Sequence, residues 1–147
     1  MSAGIGNRGG CKWRLWCAGH TGADGWHRLA HPAVFSGSVL AGADYLIVDD
    51  FIGQGGTVAN LAGFIQSNGG KVLGVTTLTG QPYSARLAPD PQAIDELRKK
   101  HGKDLEEWWR QEFGYGFVCL THSEARYLGR GADADTIRAR ILAARQG

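Results

Sequence analysis

Two adjacent carboxylates and a glycine-rich segment are the residues of this chain whose types and spacing suit chemistry. Asp49 and Asp50 directly follow the apolar run at residues 45–48. Glycines then stand at positions 53, 55 and 56, and Thr57 follows them. Glycine lets backbone N–H groups approach a ligand closely, and carboxylates accept hydrogen bonds from hydroxyls or bind divalent cations. The pattern therefore predicts a site for a ligand that carries both an anionic group and hydroxyls.

The elements that must position these residues form a predicted strand–helix–strand unit. Residues 45–48 are a short apolar run without alternation, which is typical of a strand covered on both faces. A helical stripe follows, and residues 68–70 (Asn-Gly-Gly) end it. Residues 71–78 are a second β-rich run, so a βαβ unit with parallel strands is predicted. The helical stripe consists of Val58, Leu61, Ala62 and Ile65.

In such a unit the acids and the glycine turn lie beyond the carboxyl end of a strand, where α/β sheets bind ligands. The start of the helix adds unpaired N–H groups and a partial positive charge, which suit a phosphate. Thr57 adds a hydroxyl donor. Asp49 and Asp50 would repel a phosphate and instead suit vicinal sugar hydroxyls or a Mg²⁺ ion. A phosphate site beside a diol site describes a ribose 5-phosphate.

Residues 45–57 resemble the ribose-phosphate signature of type I phosphoribosyltransferases, in which an apolar strand and two acids precede a loop ending in Gly-Thr. The resemblance implies a parallel, Rossmann-like three-layer α/β core with helices in its C-terminal part. It implies Mg²⁺ bound with phosphoribosyl pyrophosphate, and transfer of phosphoribose to or from a nitrogenous base. Asp49 and Asp50 would be catalytic and would contact the ribose. Gln54 departs from the family, which usually has Thr there. The implied substrate-binding residues are Asp49, Asp50, Gly53, Gln54, Gly55, Gly56 and Thr57.

The resemblance is incomplete on its N-terminal side. Enzymes of this family have two or more βα units before the motif, whereas 44 residues precede Tyr45 here. We therefore expect a reduced first half and an exposed strand edge that pairs with another subunit to form a homodimer. Binding can then persist without transfer. The alternative function is a non-catalytic, regulatory or vestigial module that binds a nucleotide or phosphoribosyl compound, and a third is a structural subunit.

Other interpretations of the turn fit less well. A phosphate-binding Walker A loop needs a lysine before its Ser or Thr, and Gly56 precedes Thr57 directly. A dinucleotide fingerprint needs its glycines immediately after the strand, where the two aspartates stand. A receiver domain has its acidic pair near the N-terminus and needs a phosphate-accepting Asp after the next-but-one strand, which the sequence lacks. A tight glycine turn with solvated carboxylates is the remaining structural alternative.

The rest of the chain divides into an arm and a helical portion. Residues 1–40 are predicted as a poorly ordered or extended arm, with an extended segment or short strand at residues 26–39, and residues 41–147 as the α/β domain. Asp90 and Pro91 begin a helix that Gly102 ends, and a second helix follows to Phe113. Residues 118–120 are predicted as a strand or extended connector. A capping box at Thr121-x-x-Glu124 predicts a short helix. A final helix begins near Asp135, with Ile137, Ile141 and Leu142 as its apolar face.

Three other groups of residues are weaker candidates. Cysteines and histidines near the N-terminus have zinc-compatible types, but their spacing matches no common finger, so unbound thiols and histidines are favoured. An aromatic cluster can stack a base, although helix packing is the stronger interpretation. Three basic residues are candidate anion contacts, although surface charge is again favoured. These groups are Cys11, Cys17, His20, His27 and His31; Trp108, Trp109, Phe113, Tyr115 and Phe117; and Arg28, Lys71 and Arg86.

Composition limits the broad class. The 147 residues are 43% hydrophobic and 20% charged, which fits one globular domain and excludes collagen, coiled coil and global disorder. A net charge of +2 does not favour a nucleic-acid partner, and no apolar run approaches the length of a membrane span. Three cysteines do not form a disulfide framework. We therefore expect a cytoplasmic protein with a small-molecule phosphoribosyl substrate and neither a membrane nor a nucleic-acid partner.

Overall fold

The computed structural model describes residues 24–146 as a mixed α/β structure. Two short 3₁₀ turns, Pro82–Ala85 and Phe117–Cys119, join longer elements. The helices and strands, in chain order, are α1 (Gly25–Ala30), β1 (Asp44–Ile52), α2 (Gly56–Ser67), β2 (Lys71–Gly80), α3 (Pro91–Phe113), α4 (His122–Gly129) and α5 (Ala134–Gln146).

Strands β1 and β2 form a two-stranded parallel sheet with α2 on one face. Alternation in β1 buries Tyr45 and Ile47 against the apolar side of α2. Gly69, with a φ of +85°, supplies the left-handed turn that returns the chain from α2 to β2. The predicted parallel strand pair and its connecting helix are thus confirmed, as is the α/β class in this coarse form. We call this unit the sheet cluster.

Helices α1, α3, α4 and α5 enclose a second core, which we call the helical cluster. Its centre holds Leu105, Trp109 and Phe117, all 0% exposed. The predicted Asp90 cap is present, because its carboxylate accepts from Gln92 N at 3.0 Å. The predicted capping box is also present, with both Thr121 and Glu124 making their reciprocal bonds. The aromatic residues named above pack in and around this core, as the helix-packing interpretation expected.

Three local predictions were wrong. Part of the segment expected to be extended or a strand at residues 26–39 is helix α1, which Asp24 caps by accepting from His27 N at 2.8 Å. Residues 118–120 are a 3₁₀ turn and its end rather than a strand, because the chain reverses there to bury Phe117. In α5, Leu142 is exposed, unlike Ile137 and Ile141. The predicted break at Gly102 is confirmed, because its non-helical backbone (φ +77°, ψ 166°) divides α3 into two helical halves.

The two clusters meet at the β1–α2 turn. Hydroxyls from Ser84 and Thr121 donate to the backbone carbonyls of Gly53 and Gln54, respectively. Leu87 packs on the sheet cluster, and its carbonyl accepts from the N–H of His122 at 2.9 Å. In the part of the chain that the structure describes, no helix has the length and apolar character needed to cross a bilayer.

Candidate functional site

Asp49 and Asp50 lie near the carboxyl end of β1. Ligands of parallel α/β sheets bind beyond this end of the strands. Asp49 is half-buried and Asp50 is exposed. The Asp49 carboxylate accepts from the N–H of Asp50 at 2.9 Å. Burial raises the pKa of Asp49, and the neighbouring Asp50 carboxylate raises it further by repulsion. The structure thus brings two carboxylates close together, but β1 continues to Ile52, so they lie within the strand and do not end it as predicted.

Hydroxyl side chains from other parts of the same chain hold the glycine turn that follows. Gly55 is the N-cap of α2, with a φ of +81° and no side-chain cap on the helix. The carbonyl of Gln54 accepts from Thr121 Oγ1 at 2.5 Å, and the carbonyl of Gly53 accepts from Ser84 Oγ. Because these two carbonyls face the 3₁₀ turn Pro82–Ala85 and the start of α4, they anchor the turn to the helical cluster.

A buried carboxylate lies beside the start of α2. A Cβ atom built on Gly56 would lie 2.5 Å from Glu124 Oε1, so the glycine makes room for this side chain. Burial raises the pKa of Glu124, while the bond from Thr121 N at 2.7 Å favours its charged form. The partial positive charge of a helix start also stabilises a carboxylate. A carboxyl group of the chain thus lies beside the helix start where the sequence predicted a bound phosphate.

The residues that hold this turn are not indicated by any sequence motif of a ligand site. Ser84 lies in a segment without a helical or strand pattern, and nothing local indicates that it contacts Gly53. Thr121 and Glu124 were recognised only as a capping box. The capping box itself offered one indication, because a cap hydroxyl that accepts a hydrogen bond can also donate one. Here Thr121 donates to the Gln54 carbonyl.

Magnesium requires oxygen ligands, and Asp49 and Asp50 have the right donor chemistry. Two neighbouring carboxylates can hold one Mg²⁺ ion if water completes its octahedral shell. Among residues 24–146 there is no group of three or more His, Cys, Asp or Glu side chains arranged to hold a metal ion. Magnesium binding therefore stays a prediction that rests on two carboxylates.

Of the three candidate anion contacts, Arg28 lies at the turn. Its Nη1 atom is 2.8 Å from the position that a Cβ on Gly53 would occupy. Lys71 begins β2, and the parallel register pairs it with Asp44 at the opposite end of the sheet from Asp49. Arg86 makes an exposed ion pair with Asp90 at 3.5 Å. The structure thus brings one of the three to the predicted site.

Part of the cysteine–histidine group lies outside the described residues, namely Cys11, Cys17 and His20. Of its other members, His27 and His31 stack on each other with ring centroids 4.3 Å apart. The predicted arm at residues 1–40 is likewise described only from Asp24 onward.

Comparison with known proteins places this chain near one named protein. Protein TraN of Escherichia coli is 42% identical over 125 residues, which cover 85% of this chain and 28% of TraN. An uncharacterized protein of Haemophilus influenzae is 49% identical over 45 residues, which cover 31% of this chain and 10% of that protein. No protein-family model and no solved structure matches. The chain thus spans well under two thirds of either curated relative.

This similarity corrects the predicted function. The extensive match is to Protein TraN, and it points away from phosphoribosyl transfer and from nucleotide metabolism. The prediction was wrong because it rested on a short local pattern around Gly55. That pattern also suits a turn whose carbonyls, at Gly53 and Gln54, are bound by the chain's own hydroxyls. Asp49, Asp50 and residues 53–57 stay predicted ligand-contact residues without an assigned ligand.

Proposed function

We propose that this chain is a module of a TraN-type, conjugation-related protein. The observation that carries the proposal is the 42% identity to E. coli TraN over 85% of the chain. A match of that extent includes at least 101 of the 123 described residues, because 125 aligned positions leave only 22 of the 147 unmatched. The matched region of TraN therefore has room for most of the helices and strands described above. The activity of the whole of TraN is carried to this chain only as a proposal.

We also propose that the two strands belong to a wider parallel sheet of Rossmann-like type. The support is physical, because parallel strands are stable when both of their faces are covered. Here α2 covers one face, while Leu46 and Val48 on the other face are 49% and 39% exposed. Further strands beside this pair would widen the sheet, and a layer from this chain or from another copy would cover its exposed face.

The test of the conjugation-related role uses E. coli TraN itself. The matched segment is replaced by the corresponding residues of this chain, and the frequency of plasmid transfer between cells is measured. We expect the chimera to support transfer and a deletion of the segment to abolish it. A matched control chimera carries Leu105→Ala, which removes a fully buried side chain and should lower transfer through loss of folding.

Two outcomes would contradict the role. One is a deletion that leaves the transfer frequency unchanged while the shortened TraN accumulates normally. The other is a chimera that accumulates at the level of TraN and still fails to support transfer. Immunoblotting of cell extracts supplies the accumulation measurement. The cytoplasmic location of this chain remains a separate prediction.

A further inference from the structure

The face of the sheet that points away from α2 is apolar and open. Leu46, Val48 and Leu78 lie on it and are 49%, 39% and 87% exposed. On β2, two small residues lie beside the apolar residues of β1. Gly74 is opposite Leu46, and Thr76 is opposite Val48. We call this surface the outer face. It is the type of apolar patch that marks an interaction site, since an isolated parallel strand pair leaves much apolar surface in water.

The outer face also has an ordered charge pattern. Asp44 and Lys71 lie side by side at one end, in register and both exposed. Asp50 near the other end of β1 is exposed, and the two-residue period of a strand assigns it to the same side as Asp44. The face therefore presents an acid beside a base at one end and a single acid at the other.

The shape of the face alternates as well. A Cβ atom built on Gly74 would be in ordinary van der Waals contact with Leu46 Cδ1, at 3.7 Å, so Gly74 leaves a shallow slot that the chain's own Leu46 borders. Leu46 projects from the neighbouring strand at the same level. The surface thus carries a projecting side chain next to a slot, at one level along the strands.

We propose that two copies of this chain pack outer face to outer face about a two-fold axis parallel to the strands. This axis places β1 of one copy over β2 of its partner without shifting the level along the strands. Asp44 then faces the partner's Lys71, and Leu46 faces the slot at the partner's Gly74. Both contacts occur twice. The sheets would stack at about 10 Å, the spacing of packed sheets.

Charge decides between this arrangement and the other simple two-fold axis. An axis perpendicular to the strands would place β1 over the partner's β1 in the opposite direction. Asp44 would then face the partner's Asp50 twice, which is repulsive. The parallel axis converts the same residues into two acid–base contacts. The proposal does not rest on the conjugation-related role.

The experiment measures the mass of the full chain in solution by light scattering and sedimentation over a range of concentrations. We expect a dimer for the natural chain. Leu46→Asp should give a monomer, because it places a charge in the centre of the interface. The matched control Leu142→Asp, at a 44% exposed position on α5, should remain dimeric. Circular dichroism confirms that each variant is folded.

The orientation is tested by charge substitution. Asp44→Lys and Lys71→Glu should each give a monomer, because like charges face each other across the axis twice. An equimolar mixture of the two variants should give a mixed dimer, since each lysine then faces an acid. Repulsion within each chain is unchanged by mixing, so only contacts between copies can restore the dimer.

Several outcomes overturn the proposal. If the natural chain is monomeric at all concentrations, the proposal is wrong. This holds also if hydrogen exchange shows that another part of the chain protects the amides of the outer face. A dimer that Leu46→Asp leaves intact shows that another surface carries it. Failure of the mixed variants to associate removes the assigned axis.

Discussion

Gly55 is the residue whose conformation matters most at the β1–α2 turn. Its φ of +81° lies in the left-handed region, which side chains with a Cβ atom adopt at a cost. A Cβ there would also lie 2.9 Å from Leu87 Cδ2. Conformation and contact therefore both require glycine, and they do so without any ligand.

We predict that Gly55→Ala lowers the free energy of unfolding by about 2 kcal/mol. The matched control is Gly63→Ala in the exposed middle of α2, where a Cβ meets nothing within 4 Å. That change should raise the free energy by about 0.5–1 kcal/mol, because alanine favours a helix. Urea denaturation measures both. Equal effects of the two substitutions would contradict the assigned conformation of Gly55.

Helix α3 has two halves, which a partly buried ion pair joins across the kink at Gly102. Arg98 in the first half donates from Nε and Nη2 to Glu106 in the second, at 2.7 and 3.0 Å. Glu106 also accepts from the N–H of Phe117 at 3.1 Å and from Arg110 at 3.2 Å. The hydrogen bonds from Arg98 hold the pKa of Glu106 below its ordinary value, against the opposing effect of burial.

We predict that Glu106→Gln lowers the free energy of unfolding at neutral pH by about 2–3 kcal/mol, because Arg98 loses its charged partner. Since the pKa of Glu106 is lowered by folding, its contribution is complete above the ordinary glutamate value of 4.5 and is lost as the pH falls through the lower folded value. The difference between natural chain and variant should therefore shrink in acid.

The measurement is urea denaturation at a series of pH values from neutral to acid. Glu107→Gln, at an exposed position of the same helix, is the matched control and should change the stability by less than about 0.5 kcal/mol. A difference between the natural chain and the Glu106 variant that grows in acid would show that Glu106 is not stabilised as an anion.

At the scale of the molecule, residues 24–146 form two apolar cores that meet at the β1–α2 turn. The sheet cluster and the helical cluster meet through the turn at Gly53 and Gln54, whose carbonyls are bound by Ser84 and Thr121. Thr121 has two roles, because its hydroxyl also accepts from Glu124 N at 3.1 Å to cap α4. One side chain therefore links the start of α4 to the start of α2.

We predict that Thr121→Val lowers the free energy of unfolding by about 1–2 kcal/mol, because it removes a cap and leaves the buried Gln54 carbonyl without its donor. Amide hydrogen exchange should accelerate in the first turn of α2 as well as in α4. Thr57→Val, at an exposed position in that first turn, is the control and should change little. Faster exchange confined to α4 would show that the two cores are not coupled through Thr121.

Local patterns predicted those elements that depend on neighbouring residues. The stripe at Val58, Leu61 and Ile65 is the buried side of α2, and the Thr121–Glu124 box does start α4. Helix α1 was missed because six residues are too few for a stable helix without tertiary packing. That packing comes from elsewhere in the chain, since Trp26 contacts Tyr127 with ring centroids 5.0 Å apart.

The candidate site divides in the same way. Spacing alone placed Asp49 and Asp50 near the end of a parallel strand before a glycine turn, because strand and helix periods operate within a few residues. The partners of the turn's carbonyls come from 31 and 67 positions away along the chain. Those contacts depend on how the two cores pack against each other, so the periodicity of the sequence does not predict them. Packing, rather than pattern, therefore put Glu124 beside Gly56.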